Sequence, residues 1–299
     1  MIRIAILQAN SSHPEAFISI INGPDSLFRD RARVVTIWDE DINLSTAQAS
    51  HDVRACATLD EAIDNVDLVM ICGRWGDQHP DLAIRVAGRV QAVFIDKPLA
   101  ASFSRACDVV DAFEASGTPA LCASAYRFAP EVLSFCEGLD RLGDFRSGQA
   151  AGLSEWPDLG PKGRELHFYG VHTAEMIQTV FGEGIRSVLV HPGDGADIAI
   201  LEFADGRRVD WHLLRDCAEI YEVGCYGMKG HDRVRIDPFS AYYENMMEAA
   251  VRMAETGKSP VSLRASAEIV ALLDAVTLAR GTPGERLALR VRTDRTGKI

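Results

Sequence analysis

Over residues 1–123, short apolar runs alternate with segments of helical period. The runs are Arg3 to Leu7, Val34 to Trp38, Leu68 to Cys72, Ala92 to Ile95 and Pro119 to Ala123. Brief, rich in β-branched residues and hardly alternating with polar ones, they read as strands covered on both faces. The segments between them, Pro14 to Ile21, Asn43 to Ser50, Leu59 to Ile63, Pro80 to Arg89 and Ser104 to Ser116, read as helices. Strand and helix in turn predict βαβ units with right-handed crossovers. The result is an α/β domain with a doubly wound parallel sheet and a ligand crevice at the carboxyl ends of its strands.

Past Ala123 the alternation stops, which divides the chain into domains 1–123 and 124–299. Phe128 to Glu137 and His167 to Phe181 have helical period. Strand-like segments follow at Ser187 to His191, Ala196 to Phe203, Arg208 to Leu213, Glu219 to Tyr226 and Arg233 to Ile236, with the turn sequences "PGDG" and "ADGRR" among them. Strands in succession predict a mainly antiparallel open sheet and a second domain of α+β class. Two helices, Ser240 to Glu255 and Leu263 to Ala279, come last and are long enough to pack back on the first domain. The tail "RVRTDRTGKI" reads as an edge strand followed by solvated charge.

Composition narrows the function. With 299 residues, 47% apolar and 25% charged, the chain can fill two cores. A net charge of −12 and the lack of a basic run interleaved with aromatics argue against nucleic acid as partner and for a small molecule. No apolar run reaches the ~20 residues that span a bilayer, and no basic leader precedes the first strand, so a cytoplasmic protein without a membrane partner is expected. The seven cysteines form no C-x-x-C pair and read as reduced, mostly core residues; no metal site is expected.

The stretch "ILQANSSHPEAF" (6–17) is where dinucleotide-binding chains carry G-x-G-x-x-G, yet it holds no glycine. A helix N-terminus still offers amides to a pyrophosphate, and Ser11 and Ser12 can add hydroxyls or merely cap the helix. Asn10 is the residue expected to take the left-handed conformation a glycine would supply, and His13 either meets phosphate or packs at the helix start. Asp39, ending the strand in "VVTIWDED", is placed to accept ribose hydroxyls and repel the extra phosphate of NADP; the alternative is a solvated acidic loop.

"VFIDKPLA" delivers Asp96, Lys97 and Pro98 to the same sheet edge. Lysine occurs five times here against 26 arginines. A chain that favours arginine and places lysine here gains a compact charge whose pKa is adjustable; the alternative is a plain surface lysine. "HFYGVHTAEMIQTVFG" puts His172 on a helix, with Gly170 leaving room for a ligand to approach; a core histidine is the plainer reading.

Taken together, "DKPLA", "SGTPALCASAYRFAP", "GVHTAEMIQTVFG", "EVGCYGMKG" and "GTPGERLAL" resemble, in order, the motifs of the glucose–fructose oxidoreductase, inositol dehydrogenase and MocA (Gfo/Idh/MocA) oxidoreductase family. The resemblance implies a Rossmann domain followed by a substrate-binding and oligomerisation domain. It implies that Lys97 polarises the reacting oxygen, that His172 takes the hydroxyl proton as hydride moves to NAD, and that Asp39 is the ribose acid. By the same resemblance His79 and Asp96 belong to the cofactor side, and Arg127 shapes the substrate site.

The chain also departs from the family pattern. The aspartate expected four residues before the histidine is Phe168 here, and Tyr169, three before on the same helix face, is the candidate second proton-handling group; His167 points ~140° away. "GRWG" (73–76) replaces a Thr-Pro turn, offering Arg74 to a phosphate or carboxylate and Trp75 to a nicotinamide or sugar ring. The turn-rich 154–165 segment, with Trp156, is expected to flank the substrate as a flap. The leading expectation is an NAD(H)-dependent oxidoreductase, with NADP disfavoured. It would act on a secondary alcohol or ketone of a sugar, polyol or sugar acid bound between the domains, in a homodimer or homotetramer. Two alternatives stand: a lyase or epimerase-like enzyme using Lys97 and His172 for proton transfer, favoured by Phe168 and the missing glycines, and a non-catalytic ligand sensor.

Overall fold

The computed structural model of the chain describes residues 1–237 and 240–290. It forms two compact units, one of residues 1–123 with 243–266 and the other of residues 124–242 with the segment from 267 on.

The first unit holds β1 (Ile2–Leu7), β2 (Ala32–Trp38), β3 (Arg54–Ala55), β4 (Leu68–Ile71), β5 (Ala92–Ile95) and β6 (Ala120–Cys122). All pair in parallel, in the order β3-β2-β1-β4-β5-β6. Every residue of β4 and β5 is buried, as expected of strands covered by helices on both faces. The covering helices are α1 (His13–Asn22), α2 (Ile42–Gln48), α3 (Leu59–Ile63), α4 (His79–Val86) and α5 (Phe103–Ser116). The short β3 was not anticipated: Arg54 and Ala55 have no apolar run around them, and only the edge of β2 makes them a strand.

The second unit contains α6 (Pro130–Glu137), β7 (Phe145–Leu153), α7 (Leu166–Phe181), β8 (Ile185–His191), β9 (Ala196–Phe203), β10 (Arg208–Leu214), β11 (Tyr221–Gly227) and β12 (Gly230–Arg235). Helix α8 (Tyr242–Thr256) then returns the chain to the first unit, and α9 (Leu263–Ala279) and β13 (Arg286–Ala288) end the described part. The sheet runs β12-β11-β7-β10-β9-β8-β13 and is antiparallel except where β7 and β10 pair in parallel. Period-2 alternation puts Val209, Trp211 and Leu213 of β10 inward, with Ala199 and Leu201 of β9, against α7 and α9.

Strand β7 is the main element the sequence reading lacked. "FRSGQAAGL" has small residues where a strand normally shows Val or Ile, and the fold needs them small. A Cβ on Gly148 would enter the Phe181 ring, and one on Gly152 would strike Thr173 and Tyr221. The expected 290–299 tail strand lies outside the described residues apart from Arg290, while β13 pairs with β8 just before it. No helix among the described residues is long and apolar enough to cross a membrane.

Candidate active site

In the first unit the strand order reverses between β1 and β4, and the loops leaving those strands meet there. The Ser11 hydroxyl donates to the Cys72 carbonyl at 2.7 Å. Asn10 accepts from Arg74 twice, its side-chain oxygen from the Arg74 amide and its carbonyl from Nε, both at 3.0 Å. The first loop is therefore braced by side chains where a glycine-rich turn would rely on backbone alone. Spacing puts Gln8, Asn10 and His13 at the three places of G-x-G-x-x-G.

The left-handed residue is Gln8, at φ 66°, and not Asn10 as expected. Gln8 still donates its amide to Trp38 at 2.7 Å as the last link of the sheet, so the chain must reverse at that very residue. Its side chain donates to the Gln78 carbonyl at 3.1 Å, offsetting a backbone cost of roughly 1–2 kcal/mol. Gly73 makes room: a Cβ there would collide with the Gln8 amide.

A cavity of about 250 Å³ opens beside this loop, lined by Gln8, Asn10, Trp38, Asp39, Gln78 and Leu82 among others. Asp39 accepts the Ala9 amide at 2.6 Å on one oxygen and the Asp41 amide at 3.0 Å on the other. Each carboxylate oxygen has a further lone pair for a ribose hydroxyl. Glu40, Asp77 and Asp81 share the rim with Arg85, a negative balance that disfavours an added phosphate. The adenosine half of NAD fits these residues, with Ser12 just ahead of α1 making no side-chain cap bond of its own.

His13 turns toward β5. Its Nδ1 is in close contact with the Asp96 carboxylate and its Nε2 lies 3.1 Å from the Tyr243 hydroxyl. Burial works to raise the Asp96 carboxyl, but His13 and then Lys97 outweigh it and hold it below the usual carboxylate range. Lys97, 8% exposed, is pushed below the ordinary lysine value by burial, against the pull of Asp96 and with help from Arg74. His79, expected on the cofactor side, is fully buried, its ring nitrogens 2.7 Å from the Pro98 carbonyl and 2.8 Å from that of Gly73. It ties the Lys97 turn to the loop after β4. Trp75 is partly exposed on that loop, its amide held by Gln78 at 3.1 Å, and a Cβ on Gly76 would meet Pro98.

In the second unit His172 stands on α7 with its Nδ1 2.7 Å from the Ser124 hydroxyl. Around its ring are Tyr126 at 4.8 Å, Tyr169 at 5.5 Å and Tyr221 at 6.0 Å between centroids. Tyr169 also stacks on Trp156 at 5.1 Å, so the 154–165 segment is packed onto α7 through its tryptophan. Burial raises the Tyr169 phenol above its ordinary value, which suits a hydrogen-bond donor better than a phenolate base. His167 pairs with Asp274 at 3.0 Å, away from His172. Arg127 is held inside the unit by Glu175 at 2.6 Å and Gln178 at 2.7 Å, which accounts for its place in the motif through packing. Gly170 does not open a path to His172: it is buried, and a Cβ there would strike Leu166 and lie 3.6 Å from Trp211.

Ser124, Tyr221 and Gln8 escaped the sequence reading. A serine before "AYRF" and a tyrosine opening a strand carry no spacing signal, and only the fold brings them to His172.

Residues 16–123 match the model of the Gfo/Idh/MocA oxidoreductase family with NAD-binding Rossmann fold. No curated protein matches the sequence. Among solved structures, myo-inositol dehydrogenase from Lactobacillus casei, in complex with NAD(H) and myo-inositol, superposes with a TM-score of 0.83 at 13% identity, covering 100% of both chains. The myo-inositol dehydrogenase from Corynebacterium glutamicum gives 0.81 at 15%, over 98% of this chain and 100% of that one. The WlbA dehydrogenase from Bordetella pertussis, with NADH and UDP-GlcNAcA, gives 0.78 at 16%, over 97% and 99%. At such identities the likeness is one of fold, and it extends over both units. The match of residues 16–123 to the NAD-binding Rossmann model of the Gfo/Idh/MocA oxidoreductases agrees with the parallel sheet and its switch-point loops, and the fold of both units is that of the dehydrogenases named above.

Proposed function

We propose that the protein is an NAD(H)-dependent dehydrogenase or reductase acting on a secondary alcohol or ketone of a sugar, polyol or sugar acid. The observation that carries the proposal is Lys97: a buried lysine, lowered in pKa, at the carboxyl end of β5 in a unit that matches the model of an NAD-binding Rossmann family. The chemistry supplied by bound NAD is hydride acceptance in one direction and hydride donation in the other. Lys97 hydrogen-bonds the reacting oxygen and steadies negative charge on it, while His172 takes the hydroxyl proton at Nε2, the nitrogen Ser124 does not engage. Asp39 receives the adenosine ribose, and Asn10, Ser11, Ser12, Arg74 and Trp75 border the rest of the cofactor. Tyr169 and Trp156 form an aromatic wall for the apolar face of a sugar or polyol ring. The molecules held by two of the structural neighbours, myo-inositol and UDP-GlcNAcA, are of this chemical kind. Self-association would use the outer face of the second sheet, where Ile198 and Tyr226 are exposed.

Trp38 lines the cavity beside Asp39 and is a built-in reporter. Titrated NADH is expected to quench tryptophan fluorescence, and a polyol and sugar panel followed at the NADH absorbance to reveal a substrate. Lys97→Ala and His172→Ala should each then lower kcat at least about 100-fold. Absence of quenching removes the cofactor from the proposal, and variants that turn over normally remove the catalytic assignment. The phenylalanine at position 168, in place of a carboxylate, favours one second reading, a lyase or epimerase. It is distinguished by solvent deuterium entering the substrate without net NADH formation.

A further inference from the structure

The first turn of this chain is poor in the donors that hold a diphosphate. Where a glycine-rich loop presents bare amides, Gln8, Asn10 and His13 stand at the three glycine places. At the head of α1, Pro14 has no N–H, and the His13 amide is already given to the Ser11 hydroxyl oxygen at 3.3 Å. Ser11 in turn donates its own hydroxyl to the Cys72 carbonyl. A helix N-terminus with its first amides spent in this way offers less to an anion.

The loop after β4 brings a cation to the same place. Arg74 is pinned to Asn10, its backbone amide to the side-chain oxygen and its Nε to the carbonyl, each at 3.0 Å. Gly73 allows this approach, since a Cβ there would lie 2.3 Å from the Gln8 side-chain oxygen. With Nε engaged, the four N–H groups of Nη1 and Nη2 remain, and among the described residues no carboxylate pairs with them. The side chain is partly exposed. Its charge reaches Lys97, whose pKa is lowered by burial and further by Arg74. A guanidinium stays charged, and its parallel N–H groups match two oxygens of a phosphate.

We infer that Arg74 is the diphosphate clamp of this chain, an arginine anchored at the second glycine place that does through charge what a glycine loop does through backbone amides. Its role rests on the NAD reading above and adds that the first turn has exchanged one set of donors for another. A substrate carboxylate is the other anion an arginine can take. The two bonds to Asn10, a residue of the turn that a pyrophosphate approaches, favour the diphosphate. A clamp made of charge also makes affinity fall with ionic strength, because salt screens the attraction.

The test is calorimetric titration of the full-length protein with NADH, ADP-ribose and adenosine, for native protein, Arg74→Gln and Arg74→Lys, between about 50 mM and 500 mM salt. Native protein should bind NADH and ADP-ribose, both more weakly at high salt. Arg74→Gln should weaken both about tenfold or more and flatten the salt dependence, with adenosine affinity and the thermal unfolding midpoint little changed. Arg74→Lys should recover part of the loss, having the charge without the fork. ADP-ribose bound as tightly by folded Arg74→Gln as by native protein overturns the clamp and leaves the NAD reading intact. If the same variant raises KM for an acidic substrate instead, the arginine belongs to the substrate and the clamp is again overturned. Should Arg74→Gln fail to fold, the native salt dependence decides, and an ADP-ribose affinity indifferent to salt overturns the clamp. Native protein that binds neither NADH nor ADP-ribose sinks the NAD reading and the clamp together. ADP-ribose held through Arg74 with no NADH-linked turnover ever found leaves the clamp standing and sinks the dehydrogenase reading alone.

Discussion

Lys97 and its neighbours show what a single residue contributes. Because burial lowers its pKa, the charged form is lost at a lower pH than for an exposed lysine. Activity that needs the ammonium should therefore fall on the alkaline side with a midpoint below the ordinary 10.5, measurable as kcat/KM against pH. A plateau extending past that value would show that Lys97 titrates as if solvated. Lys97→Arg should cost at least about 100-fold in kcat/KM, since a guanidinium is larger and planar and does not present the compact point charge of an ammonium in that buried space. His13 gives a stability prediction. His13→Ala leaves Asp96, 3% exposed, without its ring partner, and should destabilise the protein by on the order of 3 kcal/mol in urea unfolding. His13→Ala/Asp96→Asn should recover part of that loss. Asp96 has a lowered folded-state pKa, so its stabilising effect is present above the usual carboxylate value and is lost as pH falls through the lowered one. Lys97 and His172 were legible because each sits in a motif with fixed neighbours. Ser124 and Tyr221 were not, since what brings them to His172 is a partner 48 residues along the chain for Ser124 and an edge-on ring contact from β11 for Tyr221.

Among the elements, strands with β-branched residues announced themselves and β7 did not. Its glycines read as loop in sequence, but each is the space into which a larger side chain fits. Gly148→Ala should cost about 1–3 kcal/mol by urea unfolding, because the Phe181 ring must move. A neutral result would mean that the ring repacks freely. The same strand is why the sheet is mixed: β7 is parallel to β10 and antiparallel to β11, a relation that the order of hairpins alone does not imply. At β1–α1 the element survived without its glycines. Gln8 takes the positive φ, and Asn10 and Ser11 replace backbone closeness with side-chain bonds to the loop after β4.

In the molecule as a whole, the chain leaves its first unit after Ala123 and comes back with α8, whose Met246, Met247, Ala250, Val251, Met253 and Ala254 are buried. Arg31 reaches Glu248 and Glu255 from the first unit, but these side chains are a third or more exposed and add little. The apolar face matters more. A fragment of residues 1–123 should therefore lack a cooperative thermal transition, and the same fragment joined by a flexible linker to 243–266 should regain one; a sharp transition in the short fragment would show that α8 is dispensable.

What the sequence by itself determined was the alternation that makes a parallel sheet, the edge to which Asp39 and Lys97 are delivered, and the switch to consecutive strands after Ala123. These follow from local periodicity and from motif residues close together in the chain, where neighbouring side chains and backbone preferences suffice. The tertiary structure alone decided that Gln8 bears the left-handed turn, that His13 closes on Asp96 and Tyr243, that β7 fills the middle of the second sheet and that a serine holds His172. Each of these depends on which distant residue arrives within a hydrogen bond or a ring's width, and packing sets that only once the whole chain is folded.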